Sequence, residues 1–369
     1  MTLDITRRLM LAGSMAFGTS FAFPRMALAA ESDRRFVFVI QRGAADGLAM
    51  VQPHGDPALR RLRAPLVDDD AIDIDGFFAL HPSMKRVSEM FAQGQAQAWH
   101  AVATGYRERS HFDGQNILES GANRPYGKDT GWIGRLLPLL PGGPAPLALS
   151  ASVPLALRGE RQVATYSANR VPDPSEDLLA RLTTLYEEDE SLAPLWEEAM
   201  RTRMLTGDLA GGGGRGGQRI GAMAAQLLAA SDGPRVMMIE TGGWDTHRNQ
   251  PQRLVGQLGG LDAMLGALKD GLGGVWNETV VLVATEFGRT AAVNGTGGTD
   301  HGTGSAALLL GGAAPAGAKV VGDWPGLGQS QLFEGRDLRA TANLLELATS
   351  AFADHFDIDR DRALAALRR

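Results

Sequence analysis

Short, continuous apolar runs recur along the chain, and stretches with helical residue spacing separate several of them. The runs occupy Phe36 to Ile40, Ala98 to Ala103, Val236 to Ile239, Val280 to Ala284 and Ala306 to Leu310. The helix-like stretches occupy Pro82 to Gln93, Phe112 to Glu119, Gln218 to Ala230, Pro251 to Leu272 and Leu338 to Phe352. An uninterrupted apolar run is typical of a strand buried on both faces. The alternation therefore predicts an α/β sandwich built on a mostly parallel sheet.

One segment departs from this alternation. Residues Ser175 to Leu205 are rich in Glu, Leu and Arg at helical spacing, and the glycine-rich run Gly211 to Gly217 follows them. The glycine run lacks the residue spacing of a phosphate-binding loop, and no strand immediately precedes it. We predict a helical insertion over about residues 170–217 that ends in a flexible linker, within an α/β domain of residues 30–369.

The first 29 residues have the features of an export signal. Arg7 and Arg8 precede a moderately apolar run, and Ala27-Leu28-Ala29 fits the small-x-small pattern of a cleavage site. The paired arginines are typical of the twin-arginine signal peptide, whose machinery carries folded proteins. The alternative is an uncleaved membrane anchor, but the run is interrupted and falls short of the roughly 20 apolar residues that a span needs. We therefore expect a periplasmic or exported protein with no membrane span after cleavage.

Composition excludes several classes of site. The 369 residues contain no cysteine, which excludes disulfides, thiolate-bound metals and a thiol nucleophile. Lys and Arg number 36 against 42 Asp and Glu, for a net charge of −6. No basic surface of the kind that binds nucleic acid is expected from this balance, so we predict no nucleic-acid partner.

The loops at the carboxyl ends of the strands are where open α/β sheets bind ligands. The loop after the third apolar run carries Asp245 and His247, which point to the same side if the segment is extended. A carboxylate and an imidazole arranged in this way can bind one divalent cation. The alternative is a glycine turn in which Asp245 caps the next helix.

Two further loops carry charged residues. Glu286 and Arg289 follow the fourth run, where they either pair with each other or bind a ligand, because unpaired charges beside a buried strand are costly. Asp300 and His301 lie in a loop with five glycines that leads into the fifth run. In that loop an imidazole can approach a small charged ligand, with backbone N–H groups near an anion. The alternative for this segment is a plain mobile loop.

Ser110 follows the second run and precedes a helix-like stretch. With Asp113 it fits the capping-box pattern, so satisfying free N–H groups is its simplest role. A hydroxyl at a helix N-terminus also lies in a positive potential, so a nucleophilic role is compatible with capping. Arg107 and Arg109 would reinforce an anion site there. The signatures of serine α/β-hydrolases, zincins and dinucleotide-binding dehydrogenases are absent from the sequence.

Five motifs behind the twin-arginine leader form a recognisable set. They are Arg42 to Leu48, Ser110 to Asp113, Gly243 to His247, Glu286 to Thr290 and Asp300 to Gly302. The set resembles the exported bacterial domain-of-unknown-function family numbered 1501, which is grouped with the alkaline phosphatase and sulfatase superfamily. The resemblance implies a three-layer α/β/α sandwich and a site with two metal ions beside a Ser, Thr or modified Cys nucleophile.

The resemblance also implies roles for particular residues. It places Asp245 and His247 as a metal-binding pair, His301 as a late metal ligand and Ser110 as the nucleophile. The chain departs from the superfamily pattern at the first strand, which ends in Gln41 rather than an aspartate. Glu286-Phe287 likewise stands where an Asp-His pair is usual, and both changes remove or displace ligands of the second metal.

The function expected from the sequence is hydrolysis of a small anionic phosphate or sulfate ester. A divalent metal ion, Zn, Mn, Ca or Mg, would be bound by Asp245, His247, Glu286, Asp300 and His301. Ser110 would be the nucleophile, and Arg289 or Arg109 would neutralise developing negative charge. The alternative is a non-catalytic relative that binds or assembles with a protein partner in the periplasm or at the cell surface, which the missing second-metal ligands favour.

Overall fold

The computed structural model describes residues 34–167, 216–317 and 319–369, together with residues 182, 185, 186, 189, 192–197 and 199. The predicted signal peptide, residues 1–29, lies outside the described residues, and so does most of the predicted insertion at 170–217. The end of the predicted glycine linker is already helical, because a helix begins at Gly216. Along the part of the chain that is described, no helix has both the length and the apolar character needed to cross a membrane.

The described residues form the following strands and helices. The strands are β1 (Arg35–Gln41), β2 (Val51–Gln52), β3 (Ile72–Asp73), β4 (Ala79–Leu80), β5 (Ala96–Ala103), β6 (Leu147–Leu149), β7 (Ala164–Thr165), β8 (Val236–Thr241), β9 (Thr279–Thr285), β10 (Ser305–Leu310), β11 (Val320–Val321) and β12 (Ala342–Asn343). The α-helices are α1 (Gly47–Met50), α2 (Leu59–Arg63), α3 (Lys85–Ala92), α4 (His111–Ser120), α5 (Trp132–Leu136), α6 (Gly216–Ala229), α7 (Gln250–Leu272), α8 (Leu344–His355) and α9 (Arg360–Arg368).

The main sheet has nine strands and is mostly parallel. Eight of them follow the order β11-β5-β10-β9-β1-β8-β6-β7, and β12 also pairs with β5. Strand β10 runs antiparallel to both of its neighbours, whereas the other pairings in this sheet are parallel. A separate three-stranded antiparallel sheet has the order β2-β4-β3. The predicted mostly parallel α/β sheet is confirmed.

Two apolar cores lie on opposite faces of the main sheet, so the architecture is a three-layer α/β/α sandwich. Val37 and Val39 of β1 belong to the core that α3, α6 and α7 cover. Phe36, Phe38 and Ile40 belong to the core that α5, α8 and α9 cover. Each of these β1 side chains is at most 1% exposed, and full burial of such a side chain stabilises the fold by roughly 1.5–3 kcal/mol. Burial on both faces explains why the strand reads as a continuous apolar run.

The prediction for the last long helix was wrong at its start. A helix was predicted from Leu338, whereas α8 begins at Leu344. The side chain of Asn343 accepts hydrogen bonds from the backbone N–H groups of Leu345 and Glu346, at 2.9 and 3.3 Å. An asparagine that satisfies free N–H groups in this way fixes the first turn of the helix. The residues just before it, Ala342–Asn343, pair with β5 instead.

The sheet brings several loops to one edge. Gln41, Thr241 and Thr285, the last residues of β1, β8 and β9, are neighbours in register. Because β10 is antiparallel, its first residue, Ser305, lies at this same edge and pairs with Val102 near the end of β5. The loops after β1, β5, β8 and β9 and the loop before β10 therefore all meet at the carboxyl edge.

The buried His355 should make stability depend on pH. Burial lowers the pKa of His355 to about 4, against about 6.5 in an unfolded chain. Between these values the unfolded state binds more protons, so the free energy of unfolding falls as the pH is lowered through this window. We expect His355→Gln to reduce that slope by up to about 1.4 kcal/mol per pH unit. Urea unfolding at a series of pH values measures the slope, with the exposed His54→Gln as control; equal slopes in His355→Gln and wild type would contradict the prediction.

Candidate metal centre

Four side chains converge on one point at the carboxyl edge. The Oδ1 atom of Asp245 lies 2.9 Å from Nε2 of His247, 3.3 Å from Nε2 of His301 and 3.5 Å from Nε2 of His111. The Nε2 atoms of His247 and His301 are 3.0 Å apart. Among the described residues, His111, Asp245 and His301 also stand out as a group whose ligand atoms all lie within 4.8 Å of one another.

The opposite nitrogens of two of these histidines face acceptors. Nδ1 of His301 lies 2.9 Å from the backbone carbonyl oxygen of Arg109. Nδ1 of His247 lies 3.3 Å from Oδ1 of Asp300. A carbonyl or carboxylate oxygen can only accept, and each Nε2 also faces one, Oδ1 of Asp245. With its proton on Nδ1, each neutral ring satisfies the outer acceptor and keeps a lone pair on Nε2 for a cation.

His111 is oriented in the same way by Glu286. Its Nδ1 lies 2.9 Å from Oε1 of Glu286, so the lone pair is again on Nε2, and that nitrogen is buried without a hydrogen-bond partner. The His111 ring stacks on Phe287, with centroids 5.2 Å apart. The hydrogen bond from His111 to Glu286 is the largest influence on this imidazole and raises its pKa above the ordinary value.

The arrangement fits a divalent cation. With the protons on Nδ1, the three Nε2 lone pairs repel one another and Oδ1 of Asp245. Arg289 already donates to that oxygen, and a divalent cation among the four side chains would relieve the repulsion between the lone pairs. Histidines that bind metals commonly donate their other N–H to a carboxylate or a backbone carbonyl, as all three do here. The residues that can hold the ion are therefore Asp245, His111, His247 and His301.

Glu286 lies behind His111 rather than within this group. Its side chain is almost fully buried, at 1% exposure, and Oε1 accepts hydrogen bonds from the backbone N–H of Gly43 and from Nε2 of Gln115, at 2.9 and 3.1 Å. Burial acts to raise the pKa of Glu286, but hydrogen bonds from His111, Gln115 and the backbone outweigh it and hold the pKa below the usual value. The structure thus gives Glu286 a supporting position.

Asp300 has a similar supporting position behind His247. Besides its contact with His247, Oδ1 of Asp300 accepts a hydrogen bond from Nδ2 of Asn294 at 3.0 Å. The hydrogen bond from Asn294 is the main cause of a lowered pKa for Asp300. Of the five ligands predicted from the sequence, Asp245, His247 and His301 are brought together. Asp300 contacts His247 from outside this group, and Glu286 contacts His111.

Arg289 is a buried element of the edge. Only 1% of it is exposed, and its guanidinium donates to the backbone carbonyls of four residues, Ala44, Thr299, Gly43 and Trp244, at 2.8 to 3.3 Å. It also donates to Oδ1 of Asp245 at 2.6 Å. Partial burial of Asp245 acts to raise its pKa, but Arg289 outweighs this effect and lowers the pKa overall. The guanidinium therefore holds three loops and Asp245 together.

Arg109 also has partners of its own. Its guanidinium contacts Oδ2 of Asp337 at 2.9 Å and Oε2 of Glu334 at 2.6 Å. Its φ angle is +62°, in the left-handed region that few non-glycine residues adopt. The backbone at this position presents the carbonyl that accepts from His301. The link between Arg109 and the candidate centre is therefore this carbonyl.

Ser110 takes the N-cap position of α4 but does not cap it. The side chain makes no hydrogen bond to the helix N–H groups, so the predicted capping box was wrong. Asp113 instead lies 3.3 Å from the hydroxyl of Tyr106, which also accepts a hydrogen bond from the backbone N–H of Ser110. The hydroxyl of Ser110 is thus not used for capping. Ser110 directly precedes the candidate ligand His111 in the chain.

The backbone around the centre is closely packed, and two glycines make this possible. At Gly43, where φ is +116°, a Cβ atom would lie 2.7 Å from the backbone nitrogen of Asp245. At Gly288 it would lie 1.8 Å from the carbonyl oxygen of Gly304. Arg289 and His301 are joined directly by a β-bridge. At both positions a side chain would collide with the backbone of another loop, so these two glycines allow the loops of the centre to pack together.

His111 is the residue of the centre that the sequence did not predict as a ligand. In the same motif, the sequence pointed to a role for the neighbouring Ser110 instead. A histidine at the first position of a helix that follows a strand faces the carboxyl edge of the sheet, and this position was the available signal. The pairing of His111 with Glu286 spans 175 residues and has no signal in a single sequence.

A family model described as "Protein of unknown function (DUF1501)" matches residues 33–354 of the chain. No curated protein matches the chain significantly. Three solved structures that are similar to this chain are described next. Their sequence identities to it are low, so the similarity concerns the fold alone.

The first is a protein in the alkaline phosphatase superfamily from Vibrio parahaemolyticus, with 11% identity and a TM-score of 0.44 over 88% of this chain and 66% of that chain. The second is the C-terminal periplasmic domain of EcEptC from Escherichia coli in complex with Zn, with 7% identity and a TM-score of 0.45. The match covers 89% of this chain and 84% of that chain. The third is a mutant TAB5 alkaline phosphatase with Mg bound, with 10% identity and a TM-score of 0.37. The match covers 75% of this chain and 90% of that chain. This chain spans about two thirds of the first of these proteins.

Proposed function

The chain belongs to the DUF1501 family, and we propose that it is a metal-dependent hydrolase of phosphate or sulfate esters. The observation that carries this proposal is the convergence of three imidazole nitrogens on Oδ1 of Asp245, at 2.9 to 3.5 Å. A set of three imidazoles and one carboxylate suits zinc or another transition metal better than calcium or magnesium, which prefer oxygen ligands. Bound there, the ion would act as a Lewis acid on an ester oxygen.

Each ligand has a partner that keeps it ready to bind. The carbonyl of Arg109, the carboxylate of Asp300 and the carboxylate of Glu286 hold the three Nδ1 protons, so the three Nε2 lone pairs face inward. Such partners fix the ring orientation and raise the basicity of the ligating nitrogen. A site prepared in this way needs little rearrangement when the ion binds.

Ser110 is the proposed nucleophile. It directly precedes His111, it is half-buried, and its side chain does not cap α4. The N-terminus of this ten-residue helix provides a positive potential that favours an anionic ester and the ionised form of the hydroxyl. In the proposed step, Ser110 Oγ forms a bond to phosphorus or sulfur while the bond to the leaving oxygen breaks, and the proton lost from the hydroxyl is taken up by the leaving alcohol. Water then attacks the phosphorus or sulfur of this serine ester, its bond to Oγ breaks, and phosphate or sulfate leaves as the hydroxyl is restored.

Substitution of Ser110 tests the proposal. We expect metal-loaded wild type to hydrolyse p-nitrophenyl phosphate or p-nitrophenyl sulfate, and Ser110→Ala to lower kcat by about 10³-fold or more because the nucleophile is lost. Metal content should stay unchanged, since Ser110 is not a ligand. Ser88→Ala, at a half-buried serine in α3 remote from the centre in the chain, is the matched control and should keep full activity.

Two outcomes would overturn the proposal that the protein is a hydrolase. Equal turnover by Ser110→Ala and wild type would remove Ser110 from the chemistry. Stoichiometric metal with no turnover of either ester would instead favour the non-catalytic binding protein that the sequence left as the alternative.

We also propose that the protein is exported through the twin-arginine route, as Arg7, Arg8 and Ala27-Leu28-Ala29 indicate. Replacing both arginines by lysine should keep the full-length chain in the cytoplasm, whereas wild type should reach the periplasm in a shortened form. Fractionation of expressing cells with immunodetection measures the distribution. Normal export of the double variant would reject the route.

A further inference from the structure

A cavity with a volume of about 350 Å³ lies apart from the metal centre. This volume falls within the range of small-molecule sites. The lining residues come from three segments: the loop after β2 with the first part of α2, the turn between β3 and β4, and the loop after β11. They are Gly55, Asp56, Pro57, Ala58, Arg61, Phe77, Trp324, Gly326, Gly328 and Gln331. None of these residues belongs to the candidate metal centre.

Two aromatic rings form one wall of the cavity, and both are held in place. The indole N–H of Trp324 donates to Oδ2 of Asp56 at 3.0 Å. Phe77 packs on Gly55 so closely that a Cβ atom there would lie 2.2 Å from the ring. The rings of Phe77 and Trp324 meet edge to face, with centroids 6.2 Å apart. Since the carboxylate of Asp56 is used by this framework, the aromatic wall is preorganised.

Arg61 gives the cavity a free positive charge. It is exposed, and among the described residues it has no hydrogen-bond or ion-pair partner, whereas its neighbour Arg60 pairs with Asp69 at 2.7 Å. The side-chain oxygen of Gln331 accepts from the backbone N–H of Gly328 at 2.9 Å, which leaves its NH₂ group as a further donor. A guanidinium and a carboxamide beside aromatic faces match a ligand with an apolar face, hydroxyl groups and an anionic group.

We propose that this cavity binds an acidic sugar, a pyranose ring that carries a carboxylate or a sulfate group. The ring stacks on Trp324 and Phe77, the anionic group pairs with Arg61, and a ring hydroxyl accepts from Gln331. The site is independent of the proposed ester hydrolysis, since it uses none of the residues of the metal centre.

Calorimetric titration with glucuronate, glucose 6-sulfate and glucose tests the site in the full mature chain, metal-loaded. We expect at least one of the two anions to bind. Glucose should bind at least about tenfold more weakly than that anion, because a charge-assisted hydrogen bond is lost. Binding of one anion alone identifies which charged group the cavity takes. Arg61→Gln should weaken the anion about tenfold or more, whereas Arg60→Gln should leave it unchanged. Thermal unfolding shows that both variants fold.

Trp324→Leu supplies the second test, because the ring face is lost while Arg61 remains; it should weaken all three sugars. The anion should also still bind to His301→Ala, so failure of the metal centre and failure of this site are distinguishable. Absence of binding by both anions, equal affinity for glucose, or equal affinity in Arg61→Gln would each overturn the proposal.

Discussion

Replacing Asp245 by asparagine is expected to reduce the bound divalent metal from near-stoichiometric to undetectable. The substitution keeps the shape of the side chain but removes the charge of the oxygen on which three imidazoles converge. Without that charge, the remaining ligands are neutral and Arg289 lies nearby with its own positive charge. Elemental analysis of the purified protein, together with ester turnover, measures both consequences. Asp323→Asn, an exposed aspartate with no role in the centre, should keep the metal.

Glu286→Gln separates the structural assignment from the sequence-based one. If Glu286 supports His111, as the 2.9 Å contact indicates, its neutralisation should weaken metal binding by about 10–100-fold without abolishing it. The sequence predicted a direct ligand, for which the loss would be as complete as in Asp245→Asn. Complete loss in Glu286→Gln with retention in Asp245→Asn would reverse the roles given to these two residues.

The fold was predictable because its central strands are buried on both faces. A strand such as β1 has no solvent-facing positions, so every residue from Phe36 to Ile40 is apolar and the run is visible without any knowledge of its neighbours. The direction of β10 has no such signal, since an antiparallel strand in the same core has the same composition. Yet this direction brings His301 to the carboxyl edge, because the loop before β10 lies there.

The site was predictable only in part for a related reason. Asp245 and His247 are two residues apart, so their convergence follows from local geometry. The contacts that distinguish a ligand from its support join distant segments, as the 2.9 Å contact from His301 to the carbonyl of Arg109 does across 192 residues. Residue type alone therefore placed Glu286 and Asp300 among the ligands, because a carboxylate beside an imidazole serves either role.

Arg289 is where the structural and sequence-based interpretations differ most, and a substitution there should have a large effect on stability. Arg289→Met should lower the free energy of unfolding by about 3–5 kcal/mol, since buried carbonyls lose their donor and Asp245 loses its partner. Arg289→Lys should lie between this variant and wild type, because an ammonium keeps the charge but cannot reach all the acceptors that the planar guanidinium contacts. Urea unfolding measures these differences.

The matched control is Arg248→Met, an exposed arginine beside His247, which should change stability by no more than about 0.5 kcal/mol. The sequence assigned Arg289 to neutralise charge on a reacting ester, and that role predicts lost turnover with normal stability. The guanidinium is 1% exposed and contacts five protein acceptors, so it lies away from solvent and is already committed to the loops around it. Normal unfolding of Arg289→Met combined with lost turnover would therefore restore the catalytic assignment, whereas a destabilised protein identifies Arg289 as the residue that fixes the loops around the metal centre.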